Sequence, residues 1–181
     1  MKQYLFAFFI LAFLFSSCDE KENPFTIKKQ NIGLLTDSTQ VKDLKAVFVN
    51  DSIIIDKPTR FGEENTIEIL DREGKQLLIL TPEKAKDSFS TIGTVQIKDA
   101  RFKTGKGIST QSTFGDIYKN YKISHVDNLI NSVVVTVNEL NASFTIDKKE
   151  LPANARFDME LLIDASIIPD NAKIKYFMLH W

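Results

Sequence analysis

Two apolar runs flank a short polar break in TIEILDREGKQLLILT, Thr66 to Thr81. That pattern predicts a β-hairpin turning over Asp71 to Gly74, where Gly74 can take the positive φ of a tight turn. SVVVTVNELNASFTI, Ser132 to Ile146, predicts a second hairpin turning at Asn138 to Asn141. Branched and aromatic runs bounded by turn residues predict further strands at Phe25–Lys28, Val47–Asp56, Thr94–Phe102, Phe157–Asp164 and Ala172–Trp181. Two segments depart from that pattern with helical spacing. Phe114, Ile117, Tyr118 and Tyr121 fall on one helical face, with Thr113 and Asp116 spaced as a capping pair. Val41, Leu44 and Phe48 share a face behind an Asp37-Ser38-Thr39 cluster of cap residues. The expected fold class is α+β, mostly antiparallel β, with two short helices held by packing on sheet.

The same two helical segments resemble one another. Gly33-Leu34-Leu35-Thr36-Asp37-Ser38-Thr39 and Gly107-Ile108-Ser109-Thr110-Gln111-Ser112-Thr113 share G-x-x-T-x-S-T, and one inserted residue then aligns Asp43 with Asp116 and Leu44 with Ile117. Each is followed by a strand, a hairpin and another strand. This predicts two similar modules, 25–105 and 106–181, each a capped helix followed by antiparallel sheet, as an internal duplication or as one compact domain. Recurrent Ser/Thr caps are the competing explanation.

The chain opens differently. Lys2 precedes an uncharged apolar run, Tyr4 to Phe15, then Ser16, Ser17 and Cys18. The run falls short of the roughly 20 residues of a spanning helix and has signal-peptide length. Residues 1–17 are therefore read as a leader and 18–24 as a polar tether. The junction resembles the lipobox of bacterial lipoproteins, with Phe15 where that family usually has leucine. The resemblance implies a diacylglyceryl thioether on Cys18 and acylation of the new amino terminus. Two or more chains anchor firmly, whereas one binds marginally. A plain secretory signal with an incidental cysteine is the alternative, but a lone thiol in an oxidising compartment is a liability. The acidic residues and lysine after Cys18 also look like the surface-export signals of some Bacteroidota lipoproteins, or simply a charged spacer.

Charge narrows the partners. Lys and Arg number 23 and Asp and Glu 24, interspersed, so no basic footprint for nucleic acid exists. The single cysteine makes no intramolecular disulfide. Nothing in the sequence calls for a cofactor.

The chemical motifs are fragments. Lys103-Thr104-Gly105 matches one element of penicillin-interacting serine enzymes, but no serine is followed by a lysine three places on, so K-T-G reads as a turn. Residues 104–110 lack P-loop spacing. His125 and His180 are too few to hold zinc, and Asp56, Asp71, Asp99, Asp127 and Asp147 read as strand-end and turn residues. His125 beside Asp127 can serve as an oriented general base, the basis of a small envelope hydrolase as alternative function. Phe114, Tyr118, Tyr121 and Trp181, with Tyr176 and Phe177, can line a ligand groove or simply form core.

GKGISTQSTFGDIYKNYKI, Gly105 to Ile123, together with the terminal IKYFMLHW, is similar to a family of Gram-negative envelope lipoproteins of unknown function, one branch of which is the sigma-E-regulated lipoproteins. The resemblance implies an anchored envelope domain and brings no catalytic residues. The resulting expectation is a non-enzymatic lipoprotein, held to the bilayer through acylated Cys18, in the outer membrane before the inner. It would face the periplasm or the surface and bind another envelope protein or an extracellular ligand.

Overall fold

The structure, a computed structural model, describes residues 23–55, 58–59, 62–63, 65–156 and 162–181. The leader, Cys18, most of the tether, Asp56 and residues 157–161 of the strand expected at Phe157–Asp164 lie outside that set. Leu162 to Asp164 form no strand. In chain order the strands are β1 (Thr26–Lys28), β2 (Asn31–Ile32), β3 (Leu35–Thr36), β4 (Ser52–Ile55), β5 (Pro58–Thr59), β6 (Gly62–Glu63), β7 (Ile67–Leu70), β8 (Gln76–Pro82), β9 (Ile92–Ile97), β10 (Lys103–Thr104), β11 (His125–Asn128), β12 (Ser132–Val137), β13 (Ala142–Asp147) and β14 (Ile174–His180). The α-helices are α1 (Leu44–Val47), α2 (Phe114–Asn120) and α3 (Ala153–Arg156).

Eight strands form one antiparallel sheet in the order β11-β12-β13-β14-β9-β8-β7-β4. Its register shows which apolar residues share a face. One row of facing residues crosses all eight strands: Val126, Val135, Phe144, Phe177, Ile97, Leu78, Ile69 and Ile53. A parallel row runs Val137, Ala142, Leu179, Val95, Leu80, Ile67 and Ile55. Apart from the residues on the two outermost strands, every member of both rows is buried. Slipping any strand by one residue would turn its apolar set outward, so burial of this face fixes the pairing. The opposite face carries His125, Thr136, Ser143, Met178, Gln96, Ile79, Glu68 and Ile54, a mixed and partly exposed row.

The two halves of the chain supply four strands each, and their pairings match. Leu78↔Ile97 and Leu80↔Val95 in the first correspond to Ala142↔Leu179 and Phe144↔Phe177 in the second. The register shift at Thr81/Pro82 against β9 has its counterpart at Thr145/Ile146 against β14. Just ahead of α1, Gln40 bridges Thr91, the residue before β9; just ahead of α2, Thr113 bridges Lys173, the residue before β14. The halves meet where β9 pairs with β14, symmetrically about Gln96↔Met178. Segments 25–105 and 106–181 thus share one continuous sheet.

The buried face is covered by a small sheet, β10-β1-β2-β3, and by the helices, whose Ile27, Ile32, Leu35, Leu44, Phe114, Ile117 and Ala155 join the same core cluster, as does Phe102 just before β10. Lys103 and Thr104, expected in a turn, instead form β10 and pair in parallel with β1. This satisfies an edge of the amino-terminal strand that would otherwise stay open. At the carboxyl end, Trp181 donates its backbone N–H to Gly93 O at 2.9 Å and its indole N–H to Lys29 O at 3.1 Å, tying the large sheet to the small one.

The second helix forms as its spacing predicts. Asp116 Oδ2 accepts the Thr113 N–H at 2.8 Å and Thr113 Oγ1 accepts the Asp116 N–H at 3.4 Å, a complete capping box. Thr113→Ala removes one of the orphan-donor partners and is expected to cost about 1 kcal/mol, read as a lower urea midpoint at unchanged slope. The first helix is a lesser element, a 3₁₀ turn at Val41–Asp43 running into the single turn of α1. Its cap position falls to Gln40, which makes no side-chain capping bond, while the hydroxyls of the expected cap residues Ser38 and Thr39 bond Thr36 instead. Thr39 Oγ1 accepts the Thr36 N–H at 3.0 Å and lies 3.0 Å from the Thr36 hydroxyl.

Candidate functional site

Three places in the described residues gather chemically capable side chains. The first forms where β9 stops. Asp99 accepts the Arg101 backbone N–H at 2.8 Å, and that turn brings the guanidinium back onto the same carboxylate at 3.0 and 3.1 Å. Arg101 Nη2 also reaches Asp71 Oδ2 at 3.0 Å, and Lys75 Nζ lies 2.7 Å from Asp99 Oδ2. The Asp99 side chain is only 1% exposed. Burial alone would raise its pKa, but hydrogen bonds from Arg101 and Lys75 outweigh that cost and hold the carboxyl well below the usual carboxylate range. The Arg101 guanidinium stands 4.9 Å from the centre of the Phe25 ring, which meets Phe102 edge-on at 5.1 Å. Two carboxylates and two cations thus bond one another, a structural cluster at the end of the sheet.

Beside the cluster lies a pocket of about 270 Å³ whose walls include Pro24, Phe25, Ile32, Phe48, Leu77 and Phe102, with Arg101 at its rim. Leu34 and Val49, 64% and 75% exposed, also border it.

The second place is an open groove of about 630 Å³ between the end of α2 and β11, bordered by Tyr118, Tyr121, Ile123, His125, Val126 and Leu162. Two of the four aromatic residues read as ligand-binding candidates meet there. Tyr118 is exposed and stacks on Phe114 at 5.6 Å, and Tyr121 is mostly buried beneath Lys106, whose ammonium lies 4.2 Å from the ring centre. Phe114 is 1% exposed and belongs to the core. Trp181 is at the carboxyl end of β14, bonded to Lys29, and Phe177 and Tyr176 point to opposite faces of the sheet, one buried and one exposed. The six aromatics therefore do not line one surface. Alternation along a strand sends neighbours apart, and burial of the helical face takes Phe114 inward.

His125 Nε2 lies 3.0 Å from Asp127 Oδ1, both side chains well exposed on the edge strand β11. Residues two apart on a strand share a face, which is why this pair was visible in the sequence.

The third place was not. Ser143 Oγ and His180 Nε2 share a hydrogen bond of 2.8 Å across β13 and β14, a contact set by strand pairing between residues far apart in the chain. Burial lowers the His180 pKa, favouring the neutral ring. The pair sits inside an antiparallel ladder, where neighbouring backbone N–H groups are already donated to facing strands and cannot converge on an oxyanion. Satisfaction of the buried Ser143 hydroxyl is the role this geometry supports.

No protein-family model and no curated protein sequence matches this chain. Among solved structures, it is similar to the uncharacterized protein yfeY from Escherichia coli, with a TM-score of 0.56 and 14% sequence identity over 86% of this chain and 99% of that one. The likeness is one of fold. Among the described residues no helix is long and apolar enough to cross a membrane, and no cluster of His, Cys, Asp and Glu is placed to hold a metal ion.

Proposed function

We propose that the chain is an envelope lipoprotein whose folded part is a non-catalytic binding or structural domain, anchored to the bilayer through acylated Cys18. The observation that carries the reading is the position of the lone cysteine. It follows the apolar run Tyr4–Phe15 and Ser16-Ser17, and a short charged tether separates it from a fold already pinned at Pro24 and Phe25. The similarity of Gly105–Ile123 to the sigma-E-regulated lipoproteins supports the same reading, with the outer membrane as the compartment and another envelope protein as a partner. Cys18→Ala is expected to move the protein out of the membrane fraction and to abolish incorporation of labelled fatty acid. An alanine variant that still fractionates with membranes, beside a wild type that takes up no label, would overturn the anchor.

A second reading has one observation in its favour, the 3.0 Å His125–Asp127 contact at the edge of the groove. It is a small envelope hydrolase with His125 as general base. Loss of turnover on an ester, glycan or peptide panel in His125→Ala would support it; no turnover by the wild-type protein would end it.

A further inference from the structure

The apolar surface around Leu34 and Val49 stands at one particular end of the molecule. The turn Asp71–Lys75 precedes β8, Asp99 follows β9 and Asp51 precedes β4, so all three lie at the same end of the sheet, together with the pocket that Asp51 and Asp71 border. The loop containing Phe89 joins the other ends of β8 and β9. Pro24, where the described chain enters the fold, is part of that pocket. It is fixed there by Gly33, whose φ of +56° suits glycine and whose missing Cβ would fall 2.1 Å from the Pro24 carbonyl oxygen. Leu34 follows directly and is exposed beside it.

Pro24 is six residues from Cys18, a separation that a fully extended chain spans in about 20 Å at most. A lipid on Cys18 therefore holds this end, where the chain enters the fold, within about 20 Å of the bilayer. Four of the charges at this end, Asp71, Asp99, Lys75 and Arg101, are paired with one another, so none of these four stands as an isolated ion to be stripped of water on approach. We propose that this end of the domain rests on the membrane, with Leu34 and Val49 at the boundary of the hydrocarbon and lipid as the partner of the apolar pocket surface. The proposal rests on acylation of Cys18 and adds to it an orientation: the groove at β11 and the Phe89 loop are left for other partners.

The test uses the full chain extracted from membranes, with its acylation first established by mass. Leu34→Cys, Val49→Cys and Phe89→Cys each add a single reactive thiol, since Cys18 is blocked as a thioether. Each carries an environment-sensitive fluorophore in phosphatidylethanolamine–phosphatidylglycerol vesicles containing nitroxide-labelled lipid. The labels at 34 and 49 are expected to be quenched several-fold more strongly than the label at 89. They should stay so in high salt, because the contact is apolar. An acylated protein whose three labels are quenched alike would overturn the orientation and leave the anchor standing. Shielding of positions 34 and 49 by a second copy, seen as cross-linked pairs at those positions without added quenching, would overturn it as well. A chain without acylation would overturn the anchor and the orientation together.

Discussion

Phe177→Ala is expected to lower the stability of the domain by about 4 kcal/mol, roughly a 10 °C fall in melting temperature for a chain of this size. Phe177 is fully buried on β14, where the strands of the two halves meet, facing Phe144 on one side and Ile97 on the other. Its ring centre is 4.5 Å from that of Phe144, at an interplanar angle of 31°. Truncation loses the transfer energy of the ring and leaves a cavity whose walls are held by backbone pairing on both flanks, so little collapse can refill it. Tyr176→Ala, one residue away on the opposite and exposed face, is expected to change stability by no more than about 0.5 kcal/mol. Equilibrium urea unfolding of both proteins checks the contrast; equal losses would mean that the assignment of the buried face is wrong.

The second large effect is at Asp99. Asp99→Asn keeps the shape of the side chain but leaves Arg101 and Lys75 facing a neutral amide. Removing one partner of a buried pair costs about 3–5 kcal/mol, and because the cationic ends of Arg101 and Lys75 are about half exposed and water screens them, a smaller loss, about 2–3 kcal/mol, is expected here. The sign of the pH dependence follows from the depressed carboxyl. Above the ordinary value near 4 the unfolded and folded chains are both ionised and the contribution is complete. As pH falls below that value the unfolded state takes up the proton first, and the stabilisation disappears as pH drops through the folded-state value. Wild type should therefore lose stability steeply below about pH 4, and the asparagine variant should show a shallower acid limb. Some slope remains in the variant, because backbone hydrogen bonds from Lys75 and Glu73 also depress Asp71. An acid limb unchanged by the substitution would contradict the assignment of this cluster.

Much of the sheet was legible because its strands are half-buried. The apolar runs at Ser132–Ile146 and Thr66–Thr81 are the direct imprint of a dry face, and the turns fell where Gly74 and Asn141 adopt positive φ. The capping box at Thr113 was equally local and equally readable. The weaker first helix was over-read, because hydroxyl residues near a helix start can bond one another as easily as they cap, as Thr36 and Thr39 do. The shared G-x-x-T-x-S-T motif supports our proposal that the halves arose by duplication, and the matching registers and paired bridges support it further. Strand order was not legible, since the β9–β14 junction joins residues far apart in the chain and leaves no local signal. The same long-range pairing hid Ser143–His180 and sent Tyr176 and Phe177 to opposite faces. The pocket at Pro24 was hidden too, for its walls come from six separate stretches of chain.

The central claim is that a lipid on Cys18 holds a sheet domain against a bilayer. The most direct measurement is the mass of the amino-terminal fragment of protein extracted from native membranes. The predicted result is a chain that begins at Cys18 and carries a diacylglyceryl group and an amide-linked acyl chain. A free thiol at Cys18, or a leader still attached, would contradict it.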